Sequence, residues 1–309
     1  MIQKIKNELE PLVNGVTADR ELTEIISQQL NRAGIYYRIF SRIKSAQSTA
    51  AKLYHKEEKY QNRGKGMQDI IGVRVVLYYY DDVLVCKNIL ANTFKLLPED
   101  SEEDIPEAAD FSPIRRNLVF VIPDEILDMI SSDLWKNYRI EKTFEVQLRT
   151  IFSEGWYEIE HDVRYKHKKE WENKEYYKYH RGLNSINAAL EICDHEIVRH
   201  LEDLAYTCYK KKDVQQMLRY KLRIHLEKED ISETLVQEIE RTKGFLKELF
   251  RMDRGKVLCC ISHPQMGFFP KTLDNIIFLC NELYIKEKNI KELVNPVLLN
   301  KIENGLKAL

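Results

Sequence analysis

The segment Thr143-Phe-Glu-Val-Gln-Leu-Arg-Thr150 alternates without a break, with Phe144, Val146 and Leu148 on one side and Glu145, Gln147 and Arg149 on the other. Side chains alternate across a strand with a period of two, so this stretch demands a β-strand with one apolar and one polar face. Two β-branched and aromatic runs, residues 70–80 and 117–122, read as buried strands to lie beside it. A short strand is expected over 36–43, and helices over 20–31, 45–60, 83–96 and 125–135. From Ile151 onward the apolar spacing is helical for nearly all of the remaining chain. The fold class that follows is α/β (α+β): a mixed β-sheet flanked by helices, then a mostly helical region. The expected division is 1–172 and 173–309.

Charge excludes some functions. Lys and Arg total 48 against 49 Asp and Glu, a net charge of −1, which argues against a polybasic nucleic-acid coat protein and an acidic disordered tail. Neutrality hides local asymmetry. Residues 34–66 hold Arg38, Arg42, Lys44, Lys52, Lys56, Lys59, Arg63 and Lys65 against Glu57 and Glu58, whereas 98–110 is acidic without a base. No apolar run approaches membrane-spanning length, since 70–80 carries Arg74 at its middle. The N-terminal MIQKIKNELE lacks an apolar signal core, so cytoplasmic residence and no membrane partner are expected. The six cysteines form no C-x-x-C pair and read as small buried hydrophobes.

Chemistry concentrates in three places. The polar face of 143–150 sets a carboxylate, an amide and a guanidinium side by side. A solvated strand face would look alike, but Asp69 immediately precedes the next strongest strand. Two acids at strand ends are the minimum for a Mg²⁺ site that handles phosphates. Asp69 and Arg74 differ in parity, which places Asp69 in the entry turn, where a cap is the plain alternative. Lys44, Ser48 and Lys52 recur every four residues on a helix opening near Ser45, one face beside a helix N-terminus. Such stripes are usually solvated faces. This one has no acidic companion before Glu57, which favours an anion.

These residues, in order, resemble the synthetase domain of RelA/SpoT-type alarmone synthetases. The motifs are S-R-I-K-S-x-x-S-x-x-x-K (41–52), D-I-I-G-V-R-V-V (69–76), E-V-Q-L-R-T (145–150) and W-Y-E-I-E-H-D-V-R-Y-K (156–166). The resemblance covers about 34–166 and implies a nucleotidyltransferase-like mixed sheet flanked by helices. It implies a pyrophosphokinase moving the β,γ-pyrophosphoryl group of ATP to the 3′-hydroxyl of GDP or GTP, with Mg²⁺ as cofactor. Carried over by motif, Asp69 and Glu145 bind the metal and are catalytic, Glu145 also accepting the hydroxyl proton. Arg42 and Arg74 clamp the adenine, and Lys44, Ser48 and Lys52 hold the ATP phosphates. Gln147, His161 and Lys166 serve the acceptor or its phosphates, although a structural role for His161 alone is equally compatible with its position.

One family feature is missing. The loop K-x-x-G-Y-x-S-x-H, whose tyrosine stacks on guanine, is replaced by Phe111-Ser-Pro-Ile-Arg-Arg-Asn-Leu118, behind the acidic 98–110 segment. Three readings stay open: a synthetase in which Phe111, Arg115 or Arg116 stands in for the tyrosine; a toxin-type relative that pyrophosphorylates the tRNA 3′ end; or a non-catalytic nucleotide sensor. Intact Asp69 and Glu145 speak against the last. The basic, aromatic stretch 163–182 would hold RNA in the second reading, and is otherwise a solvated helix. The helical half lacks the H-D pattern of the family's hydrolase domain. Its stripes over 176–212, 217–226, 235–250 and 273–286 read as core, or as a face for a second copy or a protein partner.

Overall fold

The computed structural model describes residues 1–14, 16–55, 65–104 and 116–307. Two compact units emerge. The first comprises Met1–Ser27, Tyr37–Val76 and Leu90–Ala188, the second Gln28–Tyr36, Leu77–Ile89 and Ala189–Leu309.

The first unit carries a mixed five-stranded sheet in the order β1-β2-β5-β4-β3, with β1 Tyr37–Ile43, β2 Ile71–Leu77, β3 Glu102–Glu103, β4 Arg116–Val121 and β5 Thr143–Thr150. The alternating octet occupies β5 over the expected eight residues, and every apolar member of it is buried. β4 pairs antiparallel to β5, with Val119 opposite Glu145 and Phe120 opposite Phe144. Phe120 and Phe144 stack at 5.6 Å, and Phe94 meets Phe144 edge-on at 5.2 Å. That aromatic cluster, with Val73, Val75, Val146 and Leu148, forms the apolar side of the sheet.

The lead into β2 is tightly tied. Met67 bridges Ile140 in parallel; Met67 N donates to Arg139 O at 2.7 Å and Glu141 N to Met67 O at 2.9 Å. Thr143 Oγ1 donates to Gln68 O at 3.0 Å, and Lys44 N to Ile70 O at 2.8 Å. At Gly66 the approach is so close that a Cβ would lie 2.5 Å from Arg139 O, so only glycine fits. Asp69 therefore sits in a turn held from both sides, as its parity required.

Several elements differ from expectation for local reasons. Residues 98–104 are not simply a loop: Glu102–Glu103 forms the short edge strand β3 against β4, and two charged residues carry no alternation from which to read a strand. The 125–135 segment divides into helices Asp124–Leu127 and Ser132–Asn137, because Ser131 caps the second by accepting from Asp133 N. The 45–60 helix is seen as Ala46–His55; residues 56–60, with Lys56 and Lys59, and Arg63 lie outside the described residues. So do 105–110 and 111–115, with Phe111 and Arg115.

The second unit is helical apart from its connecting turns. The 235–250 stripe is two helices, Glu233–Arg241 and Phe245–Phe250, interrupted where Gly244 takes φ +88°. At its centre is an ion cluster. Arg223 is 2 % exposed, held in left-handed backbone at φ +50°, and pairs with Asp81 and, at 3.0 Å, with Glu202. Arg254 Nε donates to Leu222 O at 2.6 Å, and its Nη1 lies 2.6 Å from the fully buried Asp82 carboxylate. Burial holds the Asp82 carboxyl above its ordinary value, with Arg254 pulling against it. Among the described residues no helix is long and apolar enough to cross a membrane.

Candidate active site

Three neighbouring strands turn polar side chains to one side. β1 alternates Arg38, Phe40 and Arg42 outward, β2 interrupts its apolar run with Gly72 and Arg74, and β5 offers Glu145 and Gln147. Phe40, Arg42, Arg74, Glu145 and Gln147 line one cavity of about 390 Å³ together with Lys44 and Asp69. Glu154 and Glu158 complete the wall. They reach it because the helix Ile151–Glu160 starts at the very end of β5, closed by a capping box. Ser153 N donates to Thr150 Oγ1 at 3.1 Å, and Thr150 N donates to Ser153 Oγ at 2.8 Å. Trp156, 2 % exposed, anchors that helix.

Asp69 is the electrostatic centre of one side of the cavity. Its Oδ2 accepts from Lys44 Nζ and, at 2.6 Å, from Lys52 Nζ. Burial pushes the Asp69 carboxyl up, but the bonds from Lys44 and Lys52 outweigh it and hold the group below its ordinary 3.8. Burial lowers the Lys44 ammonium in turn, and its bond to Asp69 offsets only part of that. Asp69 is thus ionised, and each lysine has a partner that an incoming phosphate can replace. Ser48 lies in the exposed first turn of Ala46–His55, its Oγ accepting from Ser45 Oγ at 3.0 Å, and is not part of the cavity lining.

The other side of the cavity is a linked network. Gln147 Nε2 donates to Glu145 Oε1 at 2.7 Å, while its Oε1 accepts from Arg74 Nε at 3.3 Å and from Arg149 Nη2 at 3.2 Å. Glu154 takes Arg74 on one oxygen at 2.7 Å and Arg149 on the other at 2.9 Å; Glu158 takes Arg74 at 2.5 Å. Burial lowers the Arg74 guanidinium, but Glu154 and Glu158 outweigh it and raise it overall. Arg149, whose guanidinium lies 4.0 Å from the Tyr157 ring centroid, is lowered by burial and by the facing Arg74. The effect is to hold the Arg74 plane and the Glu145 carboxylate in fixed directions.

Of the residues expected from the sequence, Arg42, Lys44, Asp69, Arg74, Glu145 and Gln147 meet at this cavity, and Lys52 reaches it through Asp69. His161 and Lys166 do not line it. The chain there makes a π-turn, His161–Tyr165, and both side chains are exposed around Asp162, which accepts from Lys166 Nζ at 2.6 Å. Phe40, Glu154 and Glu158 had no expected role. The glutamates were readable as i, i+4 partners once the helix start at Thr150 is fixed, and Phe40 as the middle of an outward triplet on β1.

No three His, Cys, Asp or Glu side chains converge as a metal cage among the described residues. Mg²⁺ shared with substrate phosphates needs only one or two carboxylates. Asp69 Oδ1 is buried without a hydrogen-bond partner and shares the cavity with Glu145, so the two carboxylates suit such an ion.

Residues 41–170 match the model for the region found in RelA / SpoT proteins. This stretch of the chain therefore carries the region found in RelA / SpoT proteins. Solved structures resembling this chain include small alarmone synthetase 1 from Bacillus subtilis, at 22 % identity over 63 % of this chain and 94 % of that one, with a TM-score of 0.44. The same enzyme bound to its product pppGpp matches at 20 % identity, 63 % and 95 % coverage and a TM-score of 0.44. A GTP pyrophosphokinase family protein from Streptococcus pneumoniae matches at 19 % identity, 69 % and 96 % coverage and a TM-score of 0.40. A search of curated proteins finds no match.

The pairing of Asp69 with two ammonium groups has a pH signature. Its folded carboxyl lies below its ordinary 3.8, so its contribution to stability is complete above that value and is lost as the pH falls through the lowered one. The stability difference between wild type and Asp69→Asn should therefore be constant near neutrality and shrink below about pH 3.8, followed by denaturant unfolding at stepped pH. A difference that stays flat into that acid range would contradict the pairing.

Proposed function

We propose that the protein is an ATP-dependent pyrophosphokinase that moves the β,γ-pyrophosphoryl group of ATP to the 3′-hydroxyl of GDP or GTP, forming ppGpp or pppGpp. The observation that carries this reading is the convergence of Lys44, Asp69, Arg42, Arg74 and Glu145 on one cavity within a RelA/SpoT region. Pyrophosphoryl transfer calls for charge neutralisation and in-line positioning more than covalent help.

In this reading Lys44 and Lys52 exchange Asp69 for the phosphate oxygens of ATP, with Ser48 and the N-terminus of Ala46–His55 beside them. Arg42 and Arg74 face the adenine, and the network around Glu154 keeps the Arg74 plane fixed. Asp69 and Glu145 would hold Mg²⁺, which when bound would offset charge on the phosphates. The acceptor's 3′-oxygen bonds to the β-phosphorus, and the bond from that phosphorus to the α,β-bridging oxygen breaks. AMP leaves, and Glu145 takes the hydroxyl proton. Gln147, bonded to Glu145, aims that carboxylate.

Phe40 is 54 % exposed on β1, two residues from Arg42, and lines the cavity with Val73. It offers the nucleobase an apolar platform, and stacking of this kind is worth roughly 1–3 kcal/mol per base. Phe40→Ala should therefore raise the KM for ATP about tenfold and leave kcat nearly unchanged in steady-state kinetics. An unchanged KM removes Phe40 from the base site.

The test of the reading is transfer from γ-labelled ATP with Mg²⁺ to GDP, GTP or deacylated tRNA, resolved by chromatography. Label on the free guanosine nucleotide is expected. Label on the RNA 3′ end alone would replace the acceptor, a result the missing loop tyrosine makes worth testing. Bound ATP with no transfer to any acceptor would leave a nucleotide sensor and overturn the proposal.

A further inference from the structure

The second unit holds a recess of about 360 Å³ beside the C-terminal end of the helix Tyr177–Lys210 and the turn at Gly244. Its floor is apolar, with Val214 and Ile239 buried. One wall is Tyr209, whose ring stacks on Phe250 at 5.0 Å. Around it stand four exposed lysines, Lys210, Lys212, Lys243 and Lys247, against a single lining acid, Glu240.

What groups these lysines is that all four line one recess. Some lysines elsewhere in this unit are answered by acids, Lys221 by Glu202 at 2.7 Å, Lys291 by Glu303 at 2.6 Å and Lys288 by Glu292 at 3.7 Å. None of the four around the recess makes an ion pair among the described residues. Lys212 also occupies left-handed backbone at φ +59°, closing its helix with Asp213 N donating to Cys208 O at 3.0 Å. Glycine takes that position without strain, so a lysine there is a costly way to end a helix and adds a cation to the rim. At Gly244, which also lines the recess, a Cβ would meet nothing within 4 Å.

We propose that this recess binds a polyphosphate. Four ammonium groups around one small cavity suit a ligand carrying several charges in a short length. Lysine, a point charge with three donors on a flexible stem, can meet phosphate oxygens from several directions. The volume fits a small molecule and not an extended chain. The ligand is a free phosphate chain or the phosphate chain of a nucleotide, in which case the base lies toward Tyr209. The site is separate from the cavity on the sheet and does not rest on the proposed transfer reaction.

The test is lysine acetylation of the full chain, read residue by residue by mass spectrometry, with and without inorganic tripolyphosphate at physiological salt. Lys210, Lys212, Lys243 and Lys247 should be acetylated about tenfold more slowly at saturation, and Lys136 and Lys288 at unchanged rates. K243E/K247E, exposed positions outside the catalytic cavity, should abolish protection of Lys210 and Lys212 while the melting temperature stays the same. Should that variant not fold, the wild-type footprint decides alone. A second arm with GTP separates the sources. A lower midpoint than tripolyphosphate assigns a nucleotide, and an equal or higher midpoint assigns the phosphate chain. Unchanged acetylation of all four lysines at millimolar tripolyphosphate would overturn the proposal.

Discussion

Glu145→Gln should abolish transfer of pyrophosphate while ATP still binds. The amide oxygen it introduces can still accept the hydrogen bond that Gln147 Nε2 makes at 2.7 Å, so the strand and its neighbours are undisturbed. What is lost in the proposed reaction is the proton acceptor, worth roughly 10²–10⁴ in rate, and one of the two carboxylates that would hold Mg²⁺. A fall of at least ~10³-fold in kcat, about 4 kcal/mol of barrier, is the expected result. ATP affinity should change little, because Lys44, Lys52, Arg42 and Arg74 are untouched. Retained turnover would remove Glu145 from the chemistry. Loss of both turnover and ATP binding would make it a binding residue instead.

Arg254→Met should be the most damaging single change outside the cavity. Arg254 is 6 % exposed and donates to Leu222 O, and its guanidinium faces the fully buried Asp82. Removing one partner of a buried pair leaves the other charge uncompensated and costs about 3–5 kcal/mol. The double variant Arg254→Met/Asp82→Leu should recover most of this, since replacing both partners by apolar groups is often neutral. The pH dependence has a definite sign. The Asp82 carboxyl is already raised by burial and rises further without Arg254, so the folded state binds more protons than the unfolded one. Stability of the single variant should therefore improve as the pH falls through that raised value. Urea unfolding of the single and double variants at two pH values measures both effects. Equal damage from the single and double changes would contradict the pairing.

The parts of the structure that were readable in the sequence are those encoded by neighbours. The period-two pattern at 143–150 placed Glu145 and Gln147 on one face, and the parity of Asp69 against Arg74 placed Asp69 in a turn. The spacing of Lys44, Ser48 and Lys52 suggested one helix face; Lys44 instead precedes the helix Ala46–His55, and it is Asp69 that brings Lys44 and Lys52 together. What escaped the sequence depends on distance along the chain. Arg223 and Arg254 meet Asp81 and Asp82 across more than a hundred residues, and nothing local to either pair announces it. The placement of 28–36 and 77–89 with the helical unit is equally non-local. His161 and Lys166 rested on the family motif, and the π-turn at 161–165 leaves both outside the cavity lining. Phe40 was missed because an aromatic residue in a strand is ordinarily core, and its exposure shows only when β1 has neighbours.

The central claim is that this cavity moves a pyrophosphoryl group intact from ATP. The nucleotide left behind tests it most directly, measured against product when the protein turns over ATP with GDP or GTP. Bond cleavage at the β-phosphorus predicts AMP in one-to-one ratio with a guanosine nucleotide pyrophosphorylated on its 3′-oxygen, and neither product from Glu145→Gln. ADP as the leaving nucleotide, or AMP formed without a pyrophosphorylated acceptor, would contradict it.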